Sequence, residues 1–163
     1  MKFTNSLIKG KLLKRYKRFF ADIKVNNKII TAHCPNTGSM QGLLDQGNEV
    51  LVTEHNDPKR KLKFTLEIIK AKKRYVGVNT HRANKIVNHG LENKLISEFK
   101  TIKNIKPEFK FSDDTRFDFL CDSNLIEVKN VTLFRENDIA EFPDAVTSRG
   151  TKHLNMLIKS IKK

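Results

Sequence analysis

The stretch Arg15–His33, RYKRFFADIKVNNKIITAH, decides the architecture of the first half of the chain. Arg15–Val25 reads as a strand, Lys28–His33 begins a second run, and Asn26-Asn27 between them tolerates the left-handed backbone of a hairpin. A breaker cluster follows at Cys34-Pro35-Asn36-Thr37-Gly38. Three further strand patterns come after it: EVLVTE at Glu49–Glu54, KFTLEIIKAK at Lys63–Lys72 and RYVGV at Arg74–Val78. Five short strands with one longer irregular connection predict a small closed or half-closed barrel over residues 1–80. The OB type leads because it is five-stranded and common in nucleic-acid binding. Lys14, Arg15, Lys17, Arg18, Lys59, Arg60 and Lys61 put positive charge around it, interleaved with Tyr16, Phe19, Phe20 and Phe64. Most of these aromatics are expected to pack rather than to stack on bases.

The whole composition agrees in sign. Among 163 residues, 32 Lys+Arg stand against 18 Asp+Glu, a formal charge of +14, which points to a polyanionic partner. A merely solvated lysine surface is the plain alternative; nucleic acid is the stronger expectation. No apolar run approaches the roughly 18 residues of a membrane span, and the lysine-studded N-terminus has no signal-peptide core, so a cytoplasmic protein is expected. Cys34 and Cys121 form no CxxC pair and read as reduced thiols. The five histidines, His153 among them, lack metal-site spacing and read as surface or hydrogen-bonding residues. A homodimer is left open.

The second half, 81–163, reads as helix, three strands, helix. His81–Phe99 has apolar residues at helical spacing, Lys106–Phe111 is a strand, and Arg116–Cys121 with Asn124–Val131 forms a strand pair. Beyond Pro143 comes a basic helix, Ala145 to Ile161, with Val146, Leu154, Leu157, Ile158 and Ile161 on one face.

The strand pair carries the candidate chemistry. A two-residue turn at Asp122-Ser123 pairs Cys121 with Asn124 and sets Asp118 opposite Glu127, with Lys129 on the same face as Glu127. Two carboxylates about 5 Å apart repel, and a divalent cation reverses the sign of that interaction. Mg²⁺ suits one or two carboxylates with waters or phosphate oxygens in its other positions, and Mn²⁺ is its near equivalent. A nearby lysine would then orient water or stabilise charge on phosphorus. The alternative is an edge hairpin with a surface ion pair.

The segment resembles the PD-(D/E)xK nuclease motif. From end to end the chain resembles the sugar fermentation stimulation protein A family, on RYKRFFADI (Arg15–Ile23), HCPNTGSM (His33–Met40), VNTHRANKI (Val78–Ile86), RFDF (Arg116–Phe119), EVKNVTL (Glu127–Leu133) and FPDAVTSRGTKHL (Phe142–Leu154). The resemblance implies an α+β chain: an N-terminal five-stranded OB-like β-barrel, then an incomplete α-β-β-β-α PD-(D/E)xK nuclease-like domain. It also implies DNA binding; a regulatory effect on sugar metabolism is what the family name records. Carried over, the motif carboxylates fall at Asp118 and Glu127, the lysine at Lys129 and a further acid at Glu108, giving Glu108, Asp118 and Glu127 as the metal set. Many relatives have an acid near the positions of Asn88 and His89. Relatives also continue past Lys163 with another strand and a helical region, so this sequence looks C-terminally truncated, and binding without efficient cutting is expected. An active Mg-dependent nuclease and a small-ligand or partner-binding regulator are the alternatives.

Two segments are read both ways. His33–Met40 offers amides and short polar side chains to a phosphate or nucleotide, or is a tight turn. Phe142–Leu154 places Thr147, Ser148, Arg149, Lys152 and His153 in the first turns of a helix, a good setting for DNA phosphate, or simply caps it.

Overall fold

The computed structural model describes residues 1–134, 139–143 and 147–161. The expected helix start at Ala145 and Val146 lies outside them. Contacts divide the chain into two compact units, Met1–His81 with Asn130–Ala145, and Arg82–Lys129 with Val146–Lys163.

The first unit is a closed barrel built from β1 (Leu7–Tyr16), β2 (Phe20–Val25), β3 (Lys28–His33), β4 (Glu49–Glu54) and β5 (Phe64–Ala71), with β6 (Arg74–Gly77) added beside β5. One half of β1 pairs with β4, from Leu7↔Thr53 to Lys11↔Glu49, and the other half with β2, ending at Tyr16↔Phe20. The ring closes where β3 meets β5 in parallel, at Ala32↔Phe64 and His33↔Thr65. This is the OB arrangement. Alternation along β2 turns Ala21 and Ile23 inward, where they join Leu12, Val50, Leu66 and Ile69 in a core shut off from solvent. Each such aliphatic side chain contributes about 1.5–3 kcal/mol of burial. At Gly10 the strands approach so closely that a Cβ would lie 2.5 Å from Ile23 Cγ2.

One reading of the sequence is corrected here. Arg15–Val25 is not one strand: β1 ends at Tyr16, the chain turns at Lys17-Arg18-Phe19, and β2 starts at Phe20. Lys17 (φ 47°) and Arg18 (φ 62°) occupy the left-handed region that glycine or asparagine usually fills. Their turn is held by Phe19 N–H donating to Lys17 O (2.8 Å) and Arg15 Nε donating to Arg18 O (3.1 Å). The Asn26-Asn27 hairpin forms as expected, with Val25 paired to Lys28 and Asn26 at φ 52°.

The second unit contains α1 (Ala83–Glu92), a three-stranded antiparallel sheet of β7 (Ile105–Ser112), β8 (Thr115–Cys121) and β9 (Asn124–Ile126), and α2 (Ser148–Ile161). A short β10–β11 hairpin (Leu133–Phe134, Ala140–Glu141) groups with the first unit. Helix α1 stops well before Phe99. Lys94 takes φ 54°, its N–H bonds Leu91 O (3.1 Å), and Leu95 N–H bonds Gly90 O (2.8 Å), the paired bonds of a Schellman stop without glycine. Leu91, Phe119 and Cys121 make the small core of this unit. The expected apolar face of α2 is largely open, with Leu154, Ile158 and Ile161 exposed and His153 its only buried residue among those described.

Candidate functional site

Strand β8 buries Thr115, Phe117, Phe119 and Cys121 and leaves Asp118 between them half-buried. The β8–β9 register is Cys121↔Asn124, Leu120↔Leu125 and Phe119↔Ile126, which is the register of a two-residue turn at Asp122-Ser123. The ladder stops one step short of Asp118 and Glu127. There Asp118 Oδ2 accepts the Val128 N–H (2.6 Å), a side chain replacing the next backbone partner, and Oδ1 accepts Asn84 Nδ2 from α1 (2.6 Å). The third strand is therefore shorter than the Asn124–Val131 expected from sequence.

Glu127 has different partners. Its Oε1 receives His153 Nδ1 from α2 (2.5 Å) and is also bonded by Lys129 Nζ. The carboxylate side chain is only 10% exposed, as is fitting for a charge held by two donors. His153 packs edge-on against Phe117, ring centroids 6.2 Å apart. Glu108 is exposed on β7 at φ 50°, and the β7–β8 pairs run past it from Pro107↔Phe119 to Phe109↔Phe117, so it stands at the register position opposite Asp118.

Among the described residues no three His, Cys, Asp or Glu side chains are grouped to hold a metal, so the expected set Glu108, Asp118 and Glu127 is not assembled. Both Asp118 oxygens and Glu127 Oε1 already serve protein donors. The two contacts of Glu127 among the described residues both fall on Oε1. Asn84 and His153 as partners of the two acids were not legible from spacing; the KHL end of FPDAVTSRGTKHL was the available signal.

The seven basic residues expected at nucleic acid divide by what they already hold. Arg15 Nη2 donates to Asn36 O (2.7 Å) and Nη1 to Ser39 O (3.4 Å), so its guanidinium clamps the 33–40 loop. Arg60 donates to Thr65 Oγ1 (2.8 Å) and Leu62 O (3.3 Å). Lys152 is tied to Asp114 (2.7 Å). Arg18, Lys59, Lys61 and Arg149 project into solvent. Two clusters far apart in sequence meet at one end of β3: Phe20 pairs with His33, His33 with Thr65, and Thr65 binds Arg60.

The 33–40 loop is used from within. Asn36, 4% exposed, accepts Gly38 N–H on Oδ1 (2.8 Å) and donates to Thr132 Oγ1 (3.2 Å); Thr80 Oγ1 donates to Pro35 O (2.5 Å). These bonds support the tight-turn reading of HCPNTGSM. Cys34 and Cys121 are free thiols, both buried, and burial pushes both above the usual thiol range.

A cavity of about 600 Å³ lies between the β7–β8 turn and the start of α2, lined by Asp114, Arg116, Arg149, Lys152 and His153 among others. Lys152, with Ser112 and Thr115 hydroxyls, holds the Asp114 carboxyl at about 2, below its ordinary 3.8. A depressed acid contributes stability above its unfolded pKa and loses it as pH falls through the folded value. Attachment of α2 is therefore expected to weaken between about pH 4 and pH 2 and to do so less in Asp114→Asn, as read by amide exchange over α2. The group is exposed, so the effect is small and salt-sensitive.

No helix among the described residues is long and apolar enough to cross a membrane. Residues 13–78 match the family model described as SfsA N-terminal OB domain, and residues 81–163 that of the sugar fermentation stimulation protein RE domain. The chain is 64% identical over 167 residues to the sugar fermentation stimulation protein homolog of Pelagibacter ubique (strain HTCC1062), an alignment covering 100% of this chain and 72% of that protein. It is 46% identical over 165 residues to the homolog of Alteromonas mediterranea (strain DSM 17117 / CIP 110805 / LMG 28347 / Deep ecotype), covering 94% and 69%. Among solved structures, Pyrococcus furiosus SfsA in complex with Ca²⁺ matches at a TM-score of 0.82 and 25% identity, over 98% of this chain and 68% of that one. With both halves matched in order and the fold shared, the chain belongs to the sugar fermentation stimulation protein family.

Proposed function

We propose that this chain binds nucleic acid, DNA first, through phosphate contacts, and that Asp118 and Glu127 hold a hydrated divalent cation. The observation that carries the first part is the convergence of exposed cations on one end of an OB barrel: Arg18 on the β1–β2 turn, and Lys59 and Lys61 on the β4–β5 connection that Arg60 ties to Thr65. In OB folds these loops border the polymer-binding face. A net charge of +14 supplies the long-range attraction. Labelled 20-mer DNA in fluorescence anisotropy should lose on the order of 10- to 100-fold in affinity between about 50 and 200 mM salt, as expected for a few phosphate contacts. Affinity indifferent to salt contradicts the reading.

For the cation, Glu127 would offer Oε2 and Asp118 the remaining lone pairs of its carboxylate. Bound Ca²⁺ in the Pyrococcus furiosus relative supports a divalent ion of this class. When bound, such an ion polarises a phosphoryl oxygen and acidifies water. The protein's own part is to orient both carboxylates from α1 and α2 and to keep Lys129 beside Glu127. Two carboxylates already engaged by four protein donors favour weak cation binding and little cleavage.

A further inference from the structure

We propose that Phe19 and His33 form a stacking platform for an unpaired base, so that the barrel takes single-stranded nucleic acid in preference to duplex. The inference rests on the nucleic-acid reading above and names the form of polymer it selects. Phe19 is 44% exposed at the tip of the β1–β2 hairpin, where water would favour a polar residue. Its backbone is nevertheless fixed on both sides: its N–H donates to Lys17 O, and its C=O accepts Cys34 N–H, each at 2.8 Å. The residue before it is pinned by Arg15. An apolar ring held rigidly at the surface loses little entropy when it takes a partner.

The ring lies nearly parallel to the His33 imidazole, 23° between planes with centroids 6.5 Å apart, an offset stack. Burial, with Arg60 and His81 nearby, pushes the His33 pKa down. The other aromatics of this region are already engaged. Tyr16 and Phe20 stack on each other at 5.4 Å, Tyr16 bonds Asp22, and Phe64 packs against the core. Exposed cations neighbour the platform in the chain: Arg18 precedes Phe19, and Lys59 and Lys61 flank Arg60, which bonds Thr65, the β5 partner of His33. A base on Phe19 with phosphates on these cations is the standard combination for a single strand, whereas duplex bases keep their faces covered by one another.

The test uses the full chain with fluorescein-labelled dT20 and a 20-base-pair duplex at one low salt. Phe19→Ala should weaken dT20 binding roughly 5- to 100-fold, leave the duplex within about twofold, and Phe19→Trp should restore dT20. The chain has no other Trp, so Phe19→Trp is also a single reporter, and dT20 should quench it where polyphosphate of equal charge does not. Equal losses on both polymers, no loss on dT20, or a Trp signal blind to dT20 would each overturn the platform while leaving phosphate binding intact. A parent chain that binds neither polymer would overturn both the platform and the reading beneath it.

Discussion

Replacing His153 by Leu is expected to loosen α2, raising amide exchange across Ser148–Ile161 roughly 10- to 150-fold. His153 is the buried residue of that helix and donates Nδ1–H to Glu127 Oε1 at 2.5 Å. The apolar residues that would ordinarily seat an amphipathic helix, Leu154, Ile158 and Ile161, are exposed, so one hydrogen bond and one ring contact with Phe117 carry much of the attachment. A hydrogen bond to a charged partner contributes about 1.5–3 kcal/mol. The upper range for breaking a buried ion pair does not apply, because Lys129 stays on the same oxygen. His153→Asn keeps a donor near Nδ1 and should recover part of the protection. Unchanged exchange in His153→Leu would mean that α2 is held by other means.

The second large effect concerns the cation. In calorimetry with Mn²⁺ or Ca²⁺, Glu127→Gln should abolish detectable binding, a loss of more than about 100-fold, since ligand removal exceeds the 10- to 100-fold typical of supporting residues. Gln keeps the amide oxygen that accepts from His153 and Lys129, so the fold is spared. Lys129→Met should act in the opposite direction. The ammonium is bonded to the same carboxylate that would hold the ion, and a unit charge about 4 Å from a divalent ion is repelled by about 2 kcal/mol in water-like surroundings and about 8 kcal/mol near a protein surface. Lys129 is 37% exposed, which favours the lower figure, so a gain of about 10- to 30-fold is expected. Equal heats in the parent and Glu127→Gln would remove the site, and weaker binding in Lys129→Met would make Lys129 a supporter of the ion rather than its competitor.

Much of this fold was readable from residues, and the parts that were not share a cause. The Asn26-Asn27 hairpin and the Asp122-Ser123 register follow from turn chemistry and alternation. The turn at Lys17-Arg18 and the helix stop at Lys94 were missed because left-handed backbone is carried there by long basic residues, with no glycine or asparagine to mark it. The first half of β1, LIKGKLL, is too rich in lysine to stand out, yet Leu12 is fully buried and Gly10 allows the close crossing. At the site, Asp118, Glu127 and Lys129 were legible as a motif. Their partners Asn84 and His153 come from helices distant in sequence, which no local period predicts. Charge alone likewise could not separate Arg15 and Arg60, bound to carbonyls and a hydroxyl, from Arg18, Lys59 and Lys61, which face solvent.

The most direct test of the central claim is the slope of log affinity against log salt for single-stranded DNA, measured on the parent chain and on the combined Arg18→Ala, Lys59→Ala, Lys61→Ala variant. Each phosphate neutralised on a single strand contributes about 0.7 to that slope, so removing three cations should flatten it by about 2. A slope near zero in the parent, or the same slope in both proteins, would contradict nucleic-acid binding at this end of the barrel.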